Sequence, residues 1–218
     1  MFSNKNYLLT FFGAFILACF SGSTIAHPHS WVSLDTTINV DDESIVSLSM
    51  EWEFDAMTSA YMLSDENINS SNREETFSRI ANEIVENMLA NHYFTYFYRG
   101  EEPIRYKKVE TGELVQRGAK LTLSFELEMA EPVGLDTQDL SLLIFDSTHF
   151  VDMSWEQEES IKLAHTYSDV CDIQIIQPTP TAEQLAYAMS LSVDDDPDSE
   201  LGKLFTQRAR LNCKPRNN

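Results

Sequence analysis

The sequence feature that most constrains the fold is a period-two alternation of apolar and polar residues in two neighbouring segments. In residues 45–54 the even positions are apolar, and the odd positions after residue 45 are serine or glutamate. Residues 31–40 alternate in a similar way, and an acidic turn at 41–43 separates the two segments. Successive side chains of a β-strand point to opposite faces of its sheet, so each segment is predicted to be a strand with one buried face. Together they predict an antiparallel hairpin.

The remaining pattern mixes further strands with amphipathic helices. Apolar residues recur at helical spacing over residues 73–91, which predicts a helix with one buried face. Shorter helices are predicted at 55–63, 181–191 and 199–211, and further strands at 93–98, 104–109, 120–129, 140–145, 150–155 and 171–176. The predicted class is therefore α+β, with a mainly antiparallel sheet or sandwich, inserted helices and a C-terminal helical extension.

The N-terminal segment has the order of an export signal. Lys5 precedes an apolar run over residues 7–20, and small residues that suit cleavage follow as far as Ala26. The run is too short for a comfortable membrane span, so we expect export to the periplasm and a mature chain that begins at His27. In an alternative processing, cleavage before Cys19 would leave a lipid anchor on that cysteine.

These boundaries predict a signal peptide at 1–26, a β-rich domain at 27–177 and a helical extension at 178–218. After removal of the signal, two cysteines remain, Cys171 and Cys213. An even pair in an oxidising compartment favours a disulfide over a free thiol or a metal ligand. The bridge would tie the C-terminal extension back to the strand near Cys171.

Charge and motif content exclude several classes of function. The chain has 218 residues and a formal net charge of −20. Such a field repels nucleic acid and anionic lipid and concentrates cations near the surface. We find no nucleophile-elbow serine and no glycine-rich phosphate loop, so we expect a binding protein rather than an enzyme.

The predicted mature terminus carries two histidines one residue apart, His27 and His29. A free amine and an imidazole at the same terminus can chelate one ion, and nitrogen ligands favour zinc, copper or nickel over magnesium or calcium. Pro28 restricts the backbone between the two histidines, so less conformational entropy is lost when both imidazoles bind one ion. The alternative is a terminal segment with no metal.

Six segments carry a further signal, in this order: AHPHSWV (26–32), WEFD (52–55, with Tyr61 and Leu63 after it), YFTY (93–96), LTLSF (121–125), EP (131–132) and FD (145–146). They resemble a bacterial family usually described as the periplasmic component of an uncharacterised ABC-type transport system, often encoded beside nickel/cobalt-type permeases. The resemblance covers about residues 26–177 and leaves the tail as an addition. It implies a secreted metal-handling protein that works with a membrane metal permease, with zinc as the first expectation and nickel or cobalt next.

The terminal histidines need further ligands to complete a zinc site. Asp146, His149 and Asp152 lie within seven residues near a predicted turn, and zinc commonly takes three or four nitrogen and oxygen ligands. We therefore predict a site of His27 and His29, completed by His149 or Asp146. The family resemblance leads us to expect an aromatic where His149 stands, a departure that can add a ligand. In the alternative interpretation Asp146 shapes the turn and His149 is exposed.

Three functional classes are compatible with these residues. The first is a periplasmic accessory protein that binds a zinc-class ion for a permease. The second is a copper enzyme in which the terminal amine, His27 and a distant histidine hold copper for redox chemistry. The third is an envelope interaction domain without a metal, built on the aromatic strand at 93–98. We expect His92 to have a packing role, and His165 has no supporting pattern.

Overall fold

A computed structural model describes residues 28–164, 167, 171–191, 195 and 200–213. The predicted signal at 1–26, with Cys19, lies outside the described residues, as do His27 and His165. Strands are β1 (Ser30–Asp41), β2 (Ser44–Phe54), β3 (Thr95–Arg99), β4 (Glu102–Ile104), β5 (Glu113–Arg117), β6 (Lys120–Gly134), β7 (Leu140–Ile144), β8 (Val151–Ser154), β9 (Ile161–Leu163), β10 (Cys171–Ile176) and β11 (Arg208–Cys213). Helices are α1 (Ala56–Met62), α2 (Arg73–Met88), α3 (Ala182–Ser190) and α4 (Leu201–Phe205), with 3-10 turns at Leu89–Phe94 and Glu158–Ser160.

The first sheet is built on the predicted hairpin. β1 and β2 pair antiparallel, and the order across the sheet is β5-β6-β2-β1-β8. β9 also pairs with β1, and both β8 and β9 run parallel to it. Leu34 and Leu48 illustrate the predicted alternation, since both are buried while Asp35 and Glu51 are exposed. The period-two pattern therefore predicted both the strands and their buried face.

The second sheet has the order β10-β11-β7-β3-β4, with antiparallel pairing throughout. Strand β11, which lies between β10 and β7, corrects the prediction of one helix over residues 199–211. Only Leu201–Phe205 is helical, and the chain then becomes a strand in which Ala209 and Leu211 are buried. Pairing with β7 and β10 outweighs the local helical tendency of this segment. The tail at 178–218 therefore contributes a strand to the sheet as well as two helices.

The predicted disulfide is formed between Cys171 and Cys213, which lie opposite each other on β10 and β11. The two cysteines are 42 residues apart in sequence. Closing a loop of this length in the unfolded chain stabilises the fold by about 4 kcal/mol. The C-terminal segment is thus covalently tied to β10, as the sequence analysis predicted.

The hydrophobic core lies between the two sheets and extends under α2. Trp52 on β2 and Phe97 on β3 are among its largest fully buried side chains. α2 contributes Phe77, Ile80 and Val85 from one face, as its spacing predicted. The structure confirms the predicted α+β class with two mainly antiparallel sheets. Among the described residues no helix combines the length and the hydropathy needed to cross a membrane.

Candidate functional site

His29 lies immediately before β1, next to the segment that precedes β8. Its backbone N–H donates a hydrogen bond of 2.9 Å to the carbonyl oxygen of Phe150. Its imidazole packs on the Phe150 ring, with 4.7 Å between the ring centroids. The parallel pairing of β1 with β8 continues this contact, because Ser30 lies opposite Val151. The chain thus brings His29 of the N-terminal motif to the predicted turn at 146–150.

The start of β1 is also fixed from its other side by Asp55. The amide of Trp31 donates to Asp55 Oδ2 at 3.0 Å, and the amide of Asp55 donates to the carbonyl oxygen of Trp31 at 3.0 Å. Asp55 also caps α1 by accepting from the amides of Met57 and Thr58. Partial burial raises the pKa of Asp55. The hydrogen bonds from Thr58, Trp31 and Met57 lower it by more than burial raises it, so the pKa falls from 3.8 to about 2. The ionised carboxylate therefore holds the chain next to His29 in place.

Asp146 organises the turn that faces His29. Its buried carboxylate accepts hydrogen bonds from the amide and hydroxyl of Thr148 and from the amides of Phe150 and Val151, at 2.9–3.1 Å. The amide of His149 donates to the Asp146 carbonyl oxygen at 3.0 Å. Asp146 therefore shapes the turn, as one of the two interpretations predicted. A role as metal ligand would require the same carboxylate to serve the turn and the ion together.

The turn projects His149 toward the C-terminal helix. His149 has a left-handed φ of 58°, and its ring stacks on Phe205 of α4 with 4.3 Å between centroids. The amide of Gly202 donates to the carbonyl oxygen of Ser147 at 2.9 Å. A Cβ on Gly202 would overlap the carbonyl oxygen of Asp146, so glycine permits this close approach. α4 therefore packs directly on the turn that carries His149.

A further carboxylate near this turn is that of Asp152. Asp152 pairs with Trp31, whereas their neighbours Met153 and Val32 are buried in the core. Because side chains alternate along a strand, Asp152 and Trp31 lie on the outer face of the sheet. Burial raises the pKa of Asp152, and the nearby His149 lowers it by a smaller amount. Asp152 is therefore a partly buried carboxylate that interacts electrostatically with His149.

The structure brings some of the predicted site residues together. His29, Asp146 and His149 all lie at the junction of β1, β8 and α4, and His27 lies outside the described residues. Within the described part of the chain, no three His, Cys, Asp or Glu side chains are grouped so that they could hold a metal ion. His92 lies elsewhere, next to Tyr96 on β3.

Two contacts at this junction had no signal in the sequence. Gly202 and Phe205 lie more than fifty residues along the chain from the turn, inside a segment predicted as one helix. The position of Asp152 was predictable from the sequence, because it is a polar residue between the apolar Val151 and Met153 on a predicted strand.

Comparison with known proteins extends the similarity over almost the whole chain. A family model described as "Protein of unknown function (DUF1007)" matches residues 12–213. An "Uncharacterized protein" of Haemophilus influenzae (strain ATCC 51907 / DSM 11121 / KW20 / Rd) is 26% identical over 197 residues, which is 89% of this chain and 94% of that protein. No solved structure matches the chain. The match includes β11 and Cys213, so the tail is part of the family domain and not the addition that the sequence analysis expected.

Proposed function

The chain belongs to the family described as "Protein of unknown function (DUF1007)", and we propose that it is a periplasmic accessory protein that binds one zinc-class divalent ion and supports transport of that ion by a membrane permease. The observation that carries the proposal is the contact of His29 with Phe150, the residue that follows His149. The contact supports the proposal because it brings His29 to the turn that carries His149. The proposed role is binding and delivery rather than catalysis.

The proposed ligands are His27, His29 and His149, with a carboxylate as the fourth. Among the described residues, His29, His149 and Asp152 are not already grouped as a metal site, so binding requires these side chains to converge on the ion. Imidazole nitrogen with one carboxylate oxygen is a donor set that suits zinc, with nickel, cobalt and copper as competitors. Asp152 is the better placed carboxylate, because its outer-face side chain lies near His149 while that of Asp146 serves the turn. The hydrogen bonds of Asp55 and Phe150 limit the motion of His29 before the ion arrives.

Charge and compartment support the same role. The formal net charge of −20 raises the local concentration of cations. The disulfide between Cys171 and Cys213 favours an oxidising compartment such as the periplasm. An ion held by a site at the edge of the fold remains accessible to a permease, which an ion sealed in the core would not.

Native mass spectrometry of the protein exported through its own signal tests the binding claim, with zinc, copper and nickel offered in competition. We expect a chain that begins at His27 with one zinc or nickel ion. His27→Ala/His29→Ala should lose the ion, His149→Ala should hold it more weakly, and His92→Ala is the control that should retain it. Stoichiometric copper, a metal-free chain or a chain beginning at a lipidated Cys19 without an ion would contradict the proposal.

Zinc accumulation in cells tests the transport claim separately. Cells that lack this protein should accumulate less zinc from a zinc-poor medium, and the wild-type chain should restore uptake. The His27→Ala/His29→Ala variant should be exported at the same level and fail to restore it. Equal restoration by both chains would contradict a transport role for the site.

A further inference from the structure

A cleft lies between the 3-10 turn at Leu89–Phe94, β3 and the segment that follows β4. It has a volume of about 750 Å³. Its walls are formed by residues 89–98 on one side and 101–108 on the other, and His29, Asp146 and His149 are not among its lining residues. The cleft adjoins the candidate site through Tyr96, whose ring stacks on Phe145, but none of the described proposed ligands lines it.

Aromatic side chains form much of the lining. Three partly exposed tyrosines contribute, namely Tyr96, Tyr98 and Tyr106, whereas Tyr93 and Phe97, which also line the cleft, are almost fully buried. Aromatic faces pack well against flat, unsaturated groups and gain more from them than from branched aliphatic ones. The lining thus favours a flat ligand with an apolar body.

Cations line the cleft beside these rings. Arg105, Lys107 and Lys108 are exposed and fall within four residues of each other in a strongly acidic chain. Lys107 pairs with Glu128 at 2.8 Å, but neither Arg105 nor Lys108 forms an ion pair with any acidic residue in the described part of the chain. One carboxylate, that of Glu101, also lines the cleft. The balance favours a ligand with negative charge.

The hydroxyl of Tyr106 is a buried polar group without a hydrogen bond to any described residue. Burial raises the pKa of this hydroxyl, with a smaller contribution from Tyr98, so it stays protonated and remains a donor. Leaving such a group unsatisfied costs about 1–3 kcal/mol. A ligand that offers an acceptor atom to Tyr106 would remove this cost.

The backbone at the other wall is strained. His92, Tyr93 and Phe94 are consecutive non-glycine residues with φ of 51°, 55° and 52°. Each such conformation costs about 1–2 kcal/mol relative to the usual one. The surrounding structure holds them through the amide of Val109, which donates to the Tyr93 hydroxyl at 2.9 Å, and the hydroxyl of Thr95, which donates to the Tyr93 carbonyl oxygen at 2.8 Å. Strain that is held in this way clusters at ligand sites.

We propose that this cleft binds a small, flat organic anion. Its ring lies against the tyrosine faces, Arg105 and Lys108 meet its anionic group, and Tyr106 donates a hydrogen bond to it. The inference stands on residues that the proposed metal function does not use, so either can fail without the other.

Isothermal titration of the full exported protein with 2-naphthoate tests the proposal, with neutral 2-naphthylmethanol as the matched probe. We expect one saturable site for 2-naphthoate with a Kd of about 1 mM or tighter, and binding of the neutral probe at least about tenfold weaker. Arg105→Gln/Lys108→Gln should weaken 2-naphthoate about tenfold and leave the neutral probe unchanged. Lys162→Gln, a change at an exposed cation on β9, should alter neither.

The Tyr106→Phe variant separates a binding role from a structural one. The hydroxyl has no partner in the described residues of the free protein. Its removal should therefore leave the unfolding midpoint unchanged or raised, while it weakens 2-naphthoate severalfold. Absence of saturable binding, equal affinity for the two probes, or unchanged affinity in both the Tyr106 and the Arg105/Lys108 variants would overturn the proposal.

Discussion

The imidazole of His149 stacks on the ring of Phe205, with 4.3 Å between the ring centroids and 16° between the ring planes. The two residues are far apart in sequence and meet because α4 packs on the turn that Asp146 organises. Phe205 thus limits the orientations open to one of the three proposed nitrogen ligands.

Replacement of Phe205 by leucine should weaken zinc binding. Leucine keeps the position apolar but removes the flat surface that orients His149. The imidazole then loses conformational entropy when the ion binds, and this loss weakens the affinity. We expect the zinc affinity to fall about threefold to tenfold, measured by competition with a chromophoric chelator. Leu204→Ala, a change at an exposed residue of the same helix, is the matched control. Equal affinity in wild type and Phe205→Leu would contradict a positioning role for the ring.

Replacement of Gly202 by alanine should displace α4 from the turn. The new Cβ would overlap the carbonyl oxygen of Asp146, and overpacking of this kind costs about 1–3 kcal/mol. Urea unfolding should show that loss, and hydrogen exchange should speed up at the amides of His149 and Phe150. Gly118→Ala is the control, since Gly118 has a φ of 65° and open space around it. Gly118→Ala should lower stability without changing hydrogen exchange at His149 and Phe150. Equal exchange rates at these amides in the Gly118→Ala and Gly202→Ala variants would argue against the contact between Gly202 and Asp146.

Replacement of Asp146 by asparagine should destabilise the fold even without metal. The carboxylate accepts hydrogen bonds from Thr148, Phe150 and Val151. In asparagine an NH2 group replaces one carboxylate oxygen, and because it can only donate it cannot accept these hydrogen bonds. We expect a loss of about 1–3 kcal/mol in urea unfolding with a chelator present. Asp139→Asn, at an exposed turn residue, should change stability by less than about 0.5 kcal/mol. Equal losses in the two variants would show that Asp146 is not needed by the turn.

Acid should destabilise the protein partly through Asp55. Because hydrogen bonds lower its pKa from 3.8 to about 2, the ionised form stabilises the fold above about pH 4. That contribution decreases as the pH falls below about 4 and is lost once the pH falls through about 2. Asp55→Asn should therefore lower the melting temperature at pH 7, and its further loss between pH 4 and pH 2 should be smaller than in wild type.

The exposed Asp35 on β1 provides the control for this titration. Melting experiments at pH 7, 4, 3 and 2 compare wild type, Asp55→Asn and the matched substitution Asp35→Asn. If Asp55→Asn and wild type lose stability in parallel over that range, the hydrogen bonds of Asp55 do not contribute as the structure indicates.

Local patterns predicted the parts of the fold that depend on neighbouring residues. The β1–β2 hairpin follows from alternation within residues 31–54, and the disulfide follows from the two cysteines that remain when the predicted signal is removed. The segment at 199–211 was predicted wrongly because its residues allow a helix when read alone. Ala209 and Leu211 instead complete a sheet whose other strands come from distant parts of the chain.

The candidate site was less predictable for the same reason. His29 stood out through its spacing from His27, but its contact with Phe150 requires the parallel pairing of β1 with β8, more than a hundred residues later. No pattern within a single segment of the sequence predicts the pairing of β1 with β8. The glycine and phenylalanine of α4 that shape the turn, Gly202 and Phe205, also act only through tertiary packing.

The most direct test of the account is anomalous diffraction at the zinc edge from crystals of the mature protein grown with one equivalent of zinc. The account predicts a single peak about 2.0–2.1 Å from imidazole nitrogens of His29 and His149, with the N-terminal His27 completing the set. A peak at another cluster, or a fully occupied crystal with no zinc at the junction of β1, β8 and α4, would contradict it.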